Sequence, residues 1–192
     1  MKTFALKGEI RSDFGKKAAR TYRRENLIPC VVYGGHNEEN LNFVVKTADV
    51  RNLIYTPEVF LVDLDLGSRK LQAIVKEVQF HPVKDTILHI DFLHVFENVP
   101  VVMEIPVRLE GLAAGVRAGG KLSLDIRKLK VKALPAKLPE ELVINVDNLE
   151  LGKSIQVGQL NFEGMEILNA KNAVVCRVQL TRAARGAAAK AE

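Results

Sequence analysis

Six basic residues, Arg11, Lys16, Lys17, Arg20, Arg23 and Arg24, stand within fourteen consecutive positions of a 192-residue chain, opposed there only by Asp13. Arginine outnumbers lysine four to two in this segment. Guanidinium makes planar, bidentate contacts to phosphate oxygens and base edges that ammonium cannot. Such a cluster is suited to recognising anions rather than to making or breaking bonds. The excess of five positive charges equals the formal net charge of the whole chain, +5, so the remainder is close to balanced. A charge run is also how a solvated helix face reads, and the segment alone leaves both readings open.

The spacing makes the excess directional. A helix over residues 16–25 puts Lys16, Arg20 and Arg23 at i, i+4 and i+7 on one face, with Arg24 beside it. Ala18, Ala19 and Tyr22 fill much of the remaining surface, and two alanines let a helix lie close to a sheet. Asn26 tolerates the left-handed conformation and is the expected stop before Ile28 and Pro29. Strand-like Cys30–Tyr33 follows, then a turn at Gly34 and Gly35. Upstream, Phe4, Leu6, Gly8 and Ile10 alternate with Ala5, Lys7, Glu9 and Arg11, which predicts one strand delivering Arg11 to the basic segment.

Other constellations carry less. His89, Asp91 and His94 form H-x-D-x-x-H, but strand alternation puts His89 and Asp91 on one face and His94 on the other, so no metal site is expected. Residues 115–121, G-V-R-A-G-G-K, approach a phosphate-binding loop. Leu122 stands where that motif needs Ser or Thr, and an alternating strand pattern follows where it needs a helix. A glycine-rich loop between strands is expected instead. His36, in G-G-H-N, reads as an exposed loop residue, and no serine sits in a nucleophile elbow. Neither an enzyme nor a cofactor or small-molecule substrate is called for. Cys30 and Cys176 each lie in an apolar strand pattern, as buried structural thiols do.

At 47% hydrophobic residues the chain can supply cores for two domains. No stretch approaches the roughly 20 apolar residues of a membrane span. Lys2, Lys7 and Glu9 interrupt any signal-peptide core, so a cytoplasmic protein is expected. Residues 1–94 read as a mainly antiparallel sheet or barrel with two short helices. Strands are expected at 41–46, 59–66, 70–80 and 86–93, with turns at Gly67–Ser68 and His81–Pro82. The second helix is expected to be capped by Thr47, to carry Asp49 in its first turn and to end at Thr56 and Pro57. Residues 95–181 read as a second, all-β domain, with strands at 99–109, 121–125, 128–133, 142–146, 154–157 and 173–180. Its eleven basic and ten acidic residues nearly cancel, which is not the footprint of a nucleic-acid binder. Residues 182–192, alanine-rich and basic, are expected to be a mobile tail. Tryptophan is absent and aromatics are 6%, so a stacking platform for single strands has few candidates.

Three blocks then bear on kinship. The first is Arg11, Gly15, Lys16, Arg20 and Arg23 with Ile28, Pro29, Tyr33, Gly34 and Gly35. The second is V-Q-F-H-P-V-K-D-T-I-L-H-I-D-F-L, from Val78 to Leu93. The third is V-P-V and I-P-V followed by G-L-A-A-G-V-R-A-G-G-K-L, up to Leu122. On these blocks the chain resembles bacterial large-subunit ribosomal protein number twenty-five, the 5S-rRNA-binding family also called the general stress or CTC family, in its long two-domain form. Asn26 departs from the glycine usual in that family, and Thr21 from an arginine that some members carry.

The resemblance implies a mainly β fold: an N-terminal six-stranded β-barrel with short helices, then a C-terminal β-rich domain. It implies a non-enzymatic constituent of the large ribosomal subunit that binds 5S rRNA at a helical stretch with non-Watson–Crick pairs, approached from the minor groove. Regular A-form RNA hides its major-groove edges, so an irregular minor groove offers the shape and 2′-hydroxyls a rigid surface can fit. Carried over by position, Arg11, Lys16, Arg20 and Arg23 engage phosphates and groove edges, while Tyr33, Gln79, His89 and Asp91 lie on the barrel face that meets RNA. Without the resemblance, Tyr33 reads as a core aromatic beside a turn and His89 as a strand histidine with a satisfied hydrogen bond. His81 with Pro82 reads as a strand terminator. Two other readings are an RNA-binding stress factor acting off the ribosome and a protein-interaction module working through the second domain.

Overall fold

The computed structural model describes residues 1–34, 40–67 and 69–181. Gly35 and His36 of the expected glycine turn, Ser68 and the 182–192 tail lie outside these. The chain divides into two compact units, residues 1–101 with 134–136, and 102–133 with the chain from residue 137.

In the first unit the elements run β1 (Lys2–Lys7), β2 (Glu9–Ile10), α1 (Lys16–Arg24), β3 (Leu27–Tyr33), β4 (Leu41–Lys46), α2 (Thr47–Ile54), β5 (Phe60–Asp65), β6 (Lys70–Phe80) and β7 (Ile87–His94). They form a seven-stranded sheet in the order β1-β5-β6-β7-β3-β4-β2. The β1–β5 and β3–β7 pairs are parallel and the other four antiparallel.

The single N-terminal strand expected from alternation is two. β1 pairs with β5, whereas β2 pairs with β4 at the opposite end of the strand order. The implied six-stranded barrel is therefore a curled sheet whose two edge strands are successive pieces of one segment, separated by Gly8. A Cβ there would stand 2.7 Å from Phe43 Cδ2 and 3.0 Å from Leu66 Cδ2, so only glycine lets the chain cross between edges this close to the core. Its N–H is satisfied by the Asp65 carbonyl at 2.9 Å.

Alternating residues of the strands fill the core, among them Leu6, Ile28, Cys30, Val32, Phe43, Val45, Val62, Leu64, Ile90 and Phe92. Phe43 and Phe92 meet ring to ring with centroids 5.6 Å apart. Burial pushes the Cys30 thiol far above its ordinary range, consistent with a structural rather than reactive residue. α2 contributes Val50 and Leu53. Its expected Thr47 cap is corrected: Lys46 is the N-cap residue, and Thr47 Oγ1 donates instead to the Asn26 carbonyl, 2.8 Å away. The β6–β7 connection is folded by His81, whose Nδ1 accepts the N–H groups of Val83 and Lys84, each at 3.2 Å.

The second unit contains β8 (Val101–Glu110), α3 (Ala114–Arg117), β9 (Lys121–Leu124), β10 (Lys128–Ala133), β11 (Leu142–Asn145), β12 (Ser154–Gln156), β13 (Met165–Ile167) and β14 (Val174–Gln179). Two sheets form, β11-β8-β10-β13 and β12-β14-β9. Neither β13 nor the short α3 is expected from the sequence pattern, which predicts six strands and no helix in this unit. In the 115–121 segment, Gly115 N donates to Leu149 O and Gly120 N to Gly115 O, both at 2.8 Å. A Cβ on Gly120 would come within 2.5 Å of Val178 Cγ1. These glycines serve close packing, and the N–H groups a phosphate would need are already bonded.

Candidate nucleic-acid interface

α1 begins at Gly15, which supplies no side-chain cap, and its first turn has no acid to offset Lys16 and Lys17. Its last turn ends in Arg23 and Arg24, where cations complement the carbonyl end of the helix dipole. The chain leaves through Asn26 at φ 59°, the left-handed stop expected of it. The Asn26 carbonyl is held by both the N–H and the hydroxyl of Thr47, so the end of the helix is tied to the start of α2.

Ala18, Ala19 and Tyr22 are half-buried, while Lys16, Lys17, Arg20, Arg23 and Arg24 are exposed. The helix packs on β3. There Pro29 is buried although its neighbours Ile28 and Cys30 face the core, so this part of the outer face of β3 is covered. The small alanines permit the approach, and Lys16, Lys17, Arg20 and Arg24 remain exposed to solvent.

Two arginines are also anchored. Arg23 Nε donates to the Leu88 carbonyl of β7 at 3.0 Å, tying the helix to the sheet. Arg11, one residue beyond β2, donates from Nη2 to Asn42 Oδ1 at 3.4 Å. Its backbone N–H reaches Asn42 O at 3.1 Å. The Arg11 guanidinium lies over the Phe14 ring, 5.5 Å from its centroid. Its Nε is buried and finds no hydrogen-bond partner among the described residues.

Register builds the rest of the surface. Across the outward face, Glu77 of β6 pairs with Asp91 of β7, Asp91 with Val31 of β3, and Val31 with Asn42 of β4. One row along, Gln79 pairs with His89. Tyr33 shares the outward parity of Val31, two residues on. His89 Nδ1 lies 2.6 Å from Asp91 Oδ1, both side chains less than a quarter exposed. A carboxylate there fixes which ring nitrogen holds the proton and leaves Nε2 as the other hydrogen-bonding edge. The Tyr33 hydroxyl is pushed above its ordinary pKa by burial first, then by the negative charges of Asp91 and Glu77. It therefore stays a neutral donor and acceptor.

The eight sequence-derived residues thus fall into two groups. Lys16, Arg20 and Arg23 share α1, with Arg11 leading into it, while Tyr33, Gln79, His89 and Asp91 lie on the outward face of β3, β6 and β7. The Arg23–Leu88 bond joins the groups. His94 is not part of them and packs against Phe96 in a tilted ring contact with centroids 4.2 Å apart. Among the described residues no cluster of three or more metal-ligating side chains forms. Glu77 and Asn42 belong to the surface and were not singled out by sequence. Asn42 carries a signal, a polar residue alternating with Leu41 and Phe43. Glu77 could be placed against Asp91 only by counting a hairpin register that two irregularities shift.

Comparison with known proteins accounts for both units. Residues 6–92 match the model of the ribosomal L25p family, and residues 100–182 that of the C-terminal domain of ribosomal protein TL5. The chain is 62% identical to the large ribosomal subunit protein bL25 of Porphyromonas gingivalis over 191 residues, 99% of each chain. It is 58% identical over 195 residues to the protein of that name from Parabacteroides distasonis, covering 99% of this chain and all of the relative. With that of Phocaeicola vulgatus the identity is 55% over 196 residues, covering all of this chain and 99% of the relative. Matched end to end at these identities, the chain belongs to the ribosomal L25p family, in the two-domain form that carries a TL5-type C-terminal domain.

Proposed function

We propose that this chain, a structural, non-enzymatic protein of the large ribosomal subunit that serves translation in the cytoplasm, binds 5S rRNA through its first unit. The observation that carries the reading is the joining of two chemistries on one rigid surface. Exposed Lys16, Arg20 and Arg23 stand on a helix bonded to β7 at Leu88, and the outward face of β7 holds the His89–Asp91 pair. Cations alone attract any phosphate backbone. A fixed imidazole, a carboxylate, a phenol and an amide add donors and acceptors whose positions suit one groove shape and not another.

In this reading Arg11, Lys16, Arg20 and Arg23 engage phosphates and groove edges, while Tyr33, Gln79, His89 and Asp91 meet base edges and 2′-hydroxyls of an irregular helical stretch. Residues 1–94 constitute the RNA-binding domain, residues 95–181 a β-rich domain, and 182–192 a tail. The test is a gel shift of the full chain with 5S rRNA against a tRNA at one salt concentration. Preference for 5S rRNA is the expected result, and equal retardation of the two would reduce the surface to a charge-attracting face.

A further inference from the structure

We infer that Phe14 is a stacking contact that receives one unpaired or splayed nucleobase at the edge of the RNA surface, a role that rests on the 5S rRNA reading above. Phe14 is the most exposed aromatic side chain among the described residues, at 63%. It sits in the most basic stretch of the chain, between Arg11 and Lys16. An apolar ring left in water forgoes the stabilisation of burial, and here it is placed where a polyanion is attracted.

The ring is also prearranged. The Arg11 guanidinium lies over it at 5.5 Å, and Arg11 is itself held by Asn42 through side chain and backbone. An aromatic ring with a guanidinium plane against it is a pairing on which unstacked RNA bases are received. One ring does not make a platform for a single strand, and the basic segment supplies no second exposed one beside it. The ligand is therefore a single base at the border of a structured RNA.

The absence of tryptophan from the chain gives the test a clean reporter. Phe14→Ala, Phe14→Leu and Phe14→Trp variants of the full chain are titrated against 5S rRNA, with thermal melting of each variant as the control for folding. Stacking predicts that Phe14→Ala loses about tenfold in affinity, the usual scale for one base–aromatic stack. Phe14→Leu should lose nearly as much, and Phe14→Trp should restore binding with its fluorescence quenched by the RNA. The slope of log K against log salt should be unchanged in Phe14→Ala, because every cation that neutralises a phosphate is still in place.

Parent-like affinity in Phe14→Ala, with the preference for 5S rRNA intact, would overturn the stacking role and leave the wider reading standing. Full affinity in Phe14→Leu, or an unquenched Phe14→Trp, would overturn it equally, since a greasy contact or a protein partner would then explain the exposure. A parent chain with no preference for 5S rRNA would remove both.

Discussion

Asp91 is the residue at which charge attraction and shape recognition predict opposite outcomes. It lies on the face we assign to RNA, yet it is an acid opposite a second acid, Glu77. Its carboxylate is 2.6 Å from His89 Nδ1. Replacing it by asparagine removes the charge and keeps one acceptor. On stability, weakening a hydrogen bond to a charged group costs about 1.5–3 kcal/mol. Relieving two like charges directly opposite in a sheet returns about 0.2–1 kcal/mol. The remainder, about 0.5–2.8 kcal/mol by the same two scales, lowers the unfolding midpoint without unfolding the chain at room temperature.

On binding the same substitution discriminates. If Asp91 accepts from base amino groups or 2′-hydroxyls and holds His89 in the tautomer the groove requires, Asp91→Asn weakens 5S rRNA binding by about 1–3 kcal/mol, or roughly 5- to 150-fold. An unrelated duplex, bound by charge alone, should bind no worse and somewhat better. Glu77→Gln is the internal control. It removes the neighbouring charge but not the partner of His89, so both RNAs should gain alike. The assay is a pair of titrations for each protein at one salt concentration. Equal gains on both RNAs in Asp91→Asn would show the carboxylate to be a bystander, and the groove-reading assignment of the β7 face would fall.

The other predictions separate the parts of the molecule. Arg20→Ala should make the slope of log K against log salt shallower by roughly 0.7–0.9 for each phosphate that is no longer neutralised; a parent slope near zero would mean the helix face is only solvated. Arg23→Ala should do the same and also lower thermal stability, because its Nε bonds the Leu88 carbonyl, whereas a pure surface cation would leave the melting temperature unchanged. A chain ended after Val101 should fold and keep most of its 5S rRNA affinity, and a folded fragment that fails to bind would move the site. In the second unit the Asp147 carboxyl is held below its usual range chiefly by the Leu112 N–H, then by Asn145. Its stabilisation is complete above the ordinary carboxylate range and lost as pH falls from there through the lowered value. Asp147→Asn should therefore flatten the acid limb of unfolding measured on that unit, and an unchanged limb would refute the assignment.

What could be read from the sequence, and what could not, follows from how far each determinant reaches along the chain. α1, its cationic face and its Asn26 stop are written in spacings of three and four residues and in one residue's backbone tolerance, and all three appear where expected. The β6–β7 hairpin is set by alternation and by His81–Pro82, which are also local. Gly8 is different. Alternation continues without a break from Phe4 to Arg11, so no local pattern marks the exchange of β5 for β4 as partner. The reason for glycine lies in Phe43 and Leu66, distant in sequence. Thr47 fails as a cap for a similar reason, since Asn26, twenty-one residues away, offers its hydroxyl a carbonyl acceptor. The candidate site divides along the same line. Its cations and the His89–Asp91 spacing are local, but Gln79 beside His89 and Glu77 beside Asp91 depend on a register displaced by irregularities near both pairs. The recognition chemistry thus depends most on the features that local pattern conveys least. That is the physical reason a charge run could locate the surface without revealing which of its groups would read a groove.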